Sequence, residues 1–121
     1  MIARPRSIVI DCPDPSALAA FYSELLGLPI VEREADWWTV GDAQPDGWRL
    51  AFQLAPNHVA PDWPDPSRPQ QFHLDVTVDA DKIEEAEQQV IALGARRLYP
   101  DDEGFRVYAD PAGHPFCLCW G

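Results

Sequence analysis

His73 and Asp75 stand two residues apart in His73-Leu74-Asp75-Val76, where polar and apolar residues alternate as they do on a β-strand. Both side chains then point to one face, and an imidazole beside a carboxylate can accept, donate or hold a proton near neutral pH. Ser7 and Asp11 share a face of an earlier strand in the same way, which offers Asp11 as a second carboxylate for tuning His73. The residues equally allow a structural reading, in which Asp11 and Asp75 cap backbone at strand ends and His73 is a hydrogen-bonded core histidine. Cys117 and Cys119 are also two apart on a strand, badly placed to bond each other. With three cysteines in all, reduced thiols are expected. Cys117 and His73 form a candidate nucleophile pair, although nothing nearby in sequence would lower the thiol pKa, and packing is the expected role of Cys119. His58 and His114 fall in a linker and a turn and are read as surface residues.

These side chains need strands and helices to hold them, and the order of elements is legible. A strand at 7–11 is followed by Asp14-Pro15, a helix N-cap with proline at the first helical position. Leu18, Phe21, Tyr22, Leu25 and Leu26 make one apolar stripe, and Gly27 supplies a left-handed stop, so the helix spans 15–26. Strands follow at 28–34, 36–40 and 48–54. Five prolines between 55 and 70 forbid a continuous helix or interior strand there. The pattern then repeats: a strand at 71–78, a helix from Asp81 to Gly94 carrying Ile83, Ala86, Val90 and Leu93 on one face, and strands at 96–99, 105–109 and 115–120. The halves are both βαβββ, both helices end in Leu-Gly, and internal duplication is the economical account. The expected fold is α+β, one domain over 1–121, with tandem βαβββ modules at 6–55 and 71–121 joined by the proline-rich linker 55–70. Its half-open sheets should curve around a cleft.

Strand alternation sends some of Trp37, Trp38, Trp48, Phe52, Phe72, Phe105 and Trp120 into the core and others toward a ligand. Trp38 and Phe52, with Asp11, are the expected ligand contacts. Trp63, held among prolines, is expected to fold over the cleft rim or against a dimer partner.

The chain has 121 residues, 46% of them hydrophobic, enough to bury a core without disulfides or a structural metal. Its net charge of -11 repels phosphate backbones and anionic lipid, so neither nucleic acid nor a membrane surface is an expected partner. No apolar run is long enough to span a bilayer and no secretory signal pattern opens the chain, which points to a cytoplasmic protein.

Asp14 with Phe21-Tyr22 and Leu26-Gly27-Leu28, His73-Leu74-Asp75-Val76 with Val78-Asp79, Gly94-Ala95, and the closing Asp110-Pro111-Ala112-Gly113-His114-Pro115-Phe116 together resemble the vicinal oxygen chelate superfamily. That superfamily includes glyoxalase I, bleomycin-resistance proteins, methylmalonyl-CoA epimerase and extradiol dioxygenases, and the small glyoxalase-like domains are the subgroup most similar to this chain. The resemblance covers nearly the whole sequence. It implies four metal-ligand positions, which fall on Ser7, Gln53, His73 and Cys117. Ser7 stands where His is usual and Cys117 where Glu is customary, and Gln53 offers only a neutral oxygen. No tight catalytic metal is therefore expected; a weakly held zinc, nickel, iron or manganese ion at Gln53, His73 and Cys117 is the alternative. The resemblance also implies a homodimer binding a small organic molecule, with His73 and Asp75 as the catalytic pair if it is an enzyme of lyase, isomerase or dioxygenase type. A structural domain with a degenerate cleft is the third reading.

Overall fold

The computed structural model describes residues 6–44, 47–69, 73–99 and 103–120, and the chain divides into two compact units, Met1–His58 and Val59–Gly121. Each is a βαβββ unit with one four-stranded mixed sheet, so the architecture is α+β as the tandem pattern implies.

In the first unit, the Asp14 carboxylate accepts a hydrogen bond from the Ala17 amide at 3.2 Å, satisfying a donor that the start of a helix leaves without a partner. Helix α1 then runs Pro15–Leu26, the span the apolar stripe predicts, and ends where Gly27 turns to φ 65°. Strands β1 (Ile8–Cys12), β2 (Ile30–Arg33), β3 (Trp37–Gly41) and β4 (Arg49–Leu54) order themselves β1-β4-β3-β2, with β1 parallel to β4 and the other pairs antiparallel. Leu18, Phe21 and Tyr22 of α1 are buried together with Ile10, Cys12, Val40, Leu50 and Phe52. The Tyr22 ring stacks on Phe52 at 5.4 Å, and Phe21 meets Tyr22 edge-on at 5.0 Å.

That packing bears on two of the expected ligand contacts. Phe52 is fully buried as a core ring under α1. Trp38 lies directly opposite Phe52 in the β3/β4 register, hence on the same side of the sheet, with the Arg33 guanidinium 5.7 Å above its ring. The side-chain period of two gives the opposite face to Trp37, Thr39, Asp11 and Gln53.

The second unit is built from β5 (Leu74–Thr77), a 3-10 turn at Ala80–Lys82, α2 (Ile83–Ala92), β6 (Arg96–Arg97), β7 (Phe105–Ala109) and β8 (Pro115–Cys119), ordered β5-β8-β7-β6 with β5 parallel to β8. Of the strand expected over 71–78, the structure shows 74–77; Gln71 and Phe72 lie outside the described residues. Strand β6 has two residues rather than four, and the chain beyond it turns so that Arg97 Nε donates to the Tyr99 carbonyl at 3.0 Å. The proline-rich stretch doubles back on itself, the Asp62 amide donating to the Arg68 carbonyl at 3.1 Å. Trp63 packs edge-on against Tyr99 with ring centroids 5.5 Å apart.

Arg106 points to the α2 side of this sheet. It is 7% exposed and holds Glu84 and Glu87 of α2 at 2.7 Å each, while Arg97 reaches Glu87 at 3.2 Å. Tyr108 stacks on Phe116 on the same side. No helix among the described residues is long and apolar enough to cross a membrane.

Replacing Phe52 with alanine should lower unfolding free energy by about 3–5 kcal/mol in a urea titration, since the site is closed on all sides. A loss below about 1 kcal/mol would place the ring outside the core.

Candidate functional site

The hairpin of β7 and β8 begins the site, because its register decides which side chains share a face. The turn between the strands is organised by Asp110, 4% exposed, whose carboxylate accepts from the Ala112 and His114 amides at 2.8 and 3.0 Å. Gly113 sits at φ 91°, and a β-carbon there would come within 2.5 Å of that of Ala60, so only glycine fits. With the turn fixed, Phe105 lies opposite Cys119 and Val107 opposite Cys117, and on the other edge of β8 Asp75 pairs with Cys117. Strand alternation then sets Asp75, Cys117, Cys119 and Phe105 on the face turned away from α2.

His73, just before β5, reaches this group: its Nε2 lies 3.2 Å from Asp75 Oδ1. The two side chains remain 41% and 64% exposed, whereas Cys117 is 6% exposed. Donor atoms of His73, Asp75 and Cys117 all lie within 4.8 Å of one another. Burial pushes the Cys117 thiol up to about 12, with the Asp75 charge and its hydrogen bond adding to the effect. Cys119 is raised for the same reasons, burial first and Asp75 second. Around them is a cavity of about 340 Å³ lined by His73, Asp75, Glu103, Gly104, Phe105, Cys117 and Cys119. A carboxylate beside an imidazole, at the mouth of a pocket with an aromatic wall, can orient a small molecule and move a proton on it.

The first unit presents a separate face. Asp11 and Gln53 are paired in register on β1 and β4, and Ser7 lines a cavity of about 650 Å³ with Glu32, Trp37, Thr39 and Arg49. There Trp37 Nε1 donates to Thr39 Oγ1 at 3.0 Å, and the Thr39 hydroxyl donates to Glu32 Oε1 at 2.8 Å.

The structure thus brings His73, Asp75 and Cys117 together within the second unit, while Ser7, Asp11 and Gln53 share one face of the first. Trp63 is not among the residues lining the His73 cavity. Sequence reasoning missed Glu103 and left Phe105 open between the core and a ligand. For Phe105 the signal was available, since a hairpin closed at Asp110 puts residues 105 and 119 opposite each other; Glu103 precedes its strand and carries no periodicity. Trp37, rather than its neighbour Trp38, is the tryptophan on the face with Asp11.

Two βαβββ units with these sheets define the class, a vicinal oxygen chelate fold. Within it the chain belongs to the glyoxalase-like domain family, whose family model matches residues 7–119. Among solved structures it is similar to a glyoxalase-related enzyme from Fulvimarina pelagi, at 26% identity and TM-score 0.71 over 99% of this chain and 89% of that one. A glyoxalase/bleomycin resistance protein/dioxygenase family enzyme from Burkholderia phytofirmans PsJN is 18% identical, TM-score 0.71, over 96% and 97% of the two chains. The fosfomycin resistance protein FosX from Listeria monocytogenes, in a complex with Mn(II) and 1S,2S-dihydroxypropylphosphonic acid, is 15% identical, TM-score 0.69, over 100% and 92%. No curated protein matches the chain.

Raising a thiol from near 9 to about 12 cuts its thiolate at pH 8 about a thousandfold. Iodoacetamide should accordingly modify Cys117 at least about a hundredfold more slowly than free cysteine, and Asp75→Asn should speed the reaction, as followed by peptide mass spectrometry. Labelling of Cys117 at the free-cysteine rate would contradict the buried, protonated thiol.

Proposed function

We propose that this glyoxalase-like domain binds a small organic molecule in the cavity beside His73, and that the His73–Asp75 pair supplies the group that hydrogen-bonds or exchanges a proton with it, without a resident metal. The observation that carries the reading is the 3.2 Å approach of His73 Nε2 to Asp75 Oδ1 at the edge of a pocket walled by Phe105. The carboxylate fixes the orientation of the ring at the pocket edge. Cys117 gives the pocket a small, polarisable floor. A protonated thiol is a poor nucleophile, so covalent catalysis is not part of the reading. Homodimer formation, drawn from the family resemblance, and a cytoplasmic setting, drawn from the sequence pattern, belong to the same proposal.

A second reading is favoured by the closeness of the three donor atoms. Imidazole, carboxylate and thiol are a donor set that fits zinc or a neighbouring borderline ion, and the Mn(II) in the FosX complex supports a metal in this fold. His73, Asp75 and Cys117 would hold it, with Asp75 in place of the Gln53 that the family pattern suggests. Such an ion supplies Lewis acidity to a substrate oxygen. Binding would require the Cys117 proton to leave, and Ser7 and Gln53 of the first unit are weak ligands, which is why the metal-free reading comes first.

Fragment screening by ligand-observed NMR, followed by titration of wild type and His73→Ala, tests the first reading. Small aromatic fragments should bind, and His73→Ala should weaken the best of them about tenfold, the worth of one good hydrogen bond. Fragments indifferent to His73→Ala would overturn it.

Elemental analysis separates the two readings. Protein purified without added metal should carry well below one equivalent of zinc, nickel, iron or manganese. A stoichiometric ion that Cys117→Ala releases would establish the second reading instead.

A further inference from the structure

The two faces of the second unit's sheet differ in charge, and the difference bears on what the cavity holds. Arg106 and Arg97 lie on the α2 side, where Glu84 and Glu87 pair with them. Strand alternation leaves the other face at Phe105 without their positive charge. The acidic lining residues of the His73 cavity are Asp75 and Glu103, both exposed. Among the described residues no lysine or arginine lines it. Arg96 shares the face but pairs with Ala109, four residues along β7 from Phe105, about 13 Å away at the usual strand rise.

The cavity has a second feature that points to a ligand. Phe105 is 42% exposed, although aromatic rings of this size are ordinarily among the more buried side chains, and its ring forms part of the wall. An exposed ring beside two carboxylates is an arrangement that receives a cation: the ring face attracts positive charge, and the carboxylates accept its N–H bonds. A carboxylate or phosphonate ligand would instead meet Asp75 and Glu103 with no arginine to compensate.

Resting on the binding reading above, we infer that the pocket is selective for an organic cation, a protonated amine carried on an aromatic or aliphatic body. The ammonium group lies between Asp75, Glu103 and the Phe105 ring, and the apolar body lies toward Cys117 and Cys119. Because the carboxylates are exposed, each contributes modestly, and the selectivity comes from both together with the ring.

The test uses the whole chain and three probes of matched shape: phenethylammonium, hydrocinnamate and phenethyl alcohol. Titration calorimetry at low salt measures affinity, and NMR shifts of His73 and Phe105 locate the site. Phenethylammonium should bind about tenfold or more tighter than hydrocinnamate, with the alcohol between, and Glu103→Gln and Phe105→Leu should each erase a few-fold of that preference. Lys82→Gln, on the far turn before α2, should leave it unchanged.

Tighter binding of hydrocinnamate or the alcohol, with shifts at His73, would overturn the inference while the binding reading stands. If the ammonium preference survived Glu103→Gln and Phe105→Leu intact, it would belong to the net charge of -11 rather than to this pocket, and the inference would fail. No shift at His73 or Phe105 with any of the three would remove both the inference and the pocket on which it rests.

Discussion

A single buried carboxylate sets the register of the strands that carry the candidate site. Asp110 accepts two amide hydrogen bonds inside the turn between β7 and β8, and because side chains alternate along a strand, a slip of one residue would move every one of them to the other face. With the turn held, Phe105 stands opposite Cys119 and Cys117 stands between Val107 and Asp75. Gly113 reinforces the turn: its positive φ and its contact with Ala60 leave no space for a side chain, so the start of the proline-rich stretch packs on the hairpin of its own unit.

The same alternation separates two kinds of chemistry across one sheet. Toward α2 lies an ionic cluster in which Arg106, almost wholly buried, is held by two glutamates and Glu87 is shared with Arg97. A buried guanidinium left without its partners would cost about 3–5 kcal/mol, so this cluster is fixed structure. On the opposite face His73 and Asp75 are paired but exposed, with room beside them. Burial acts there on the thiols instead, holding Cys117 protonated and passive while the imidazole stays accessible.

The first unit follows the same plan with different contents. Its helix side is an aromatic core, with Tyr22 stacked on Phe52 and met edge-on by Phe21, whereas the other side carries the Trp37–Thr39–Glu32 chain of hydrogen bonds and the paired Asp11 and Gln53. In both units the helix covers one side of the sheet, and the residues of the opposite sides differ between them.

Much of this was legible in the residues. The Asp14 cap, the apolar stripe and Gly27 determine α1 because helix boundaries depend on local backbone groups and on a period of 3.6 residues. The order of strands, the repeat and the pairing of His73 with Asp75 follow from spacing alone, since residues two apart on a strand share a face wherever that strand lies. Which face meets the helix is another matter. Trp38 and Trp37 are chemically identical neighbours, and Phe52 next to Gln53 reads equally well as pocket or core. Only the β3/β4 register and the seating of α1 put Phe52 and Trp38 on the helix side and Trp37 on the other. Glu103 joined the site for a similar reason, through a hairpin whose partner strand lies more than ten residues away. Local sequence determines an element and its period; the phase of that period relative to the core is decided by long-range packing, which buries whichever face the helix covers.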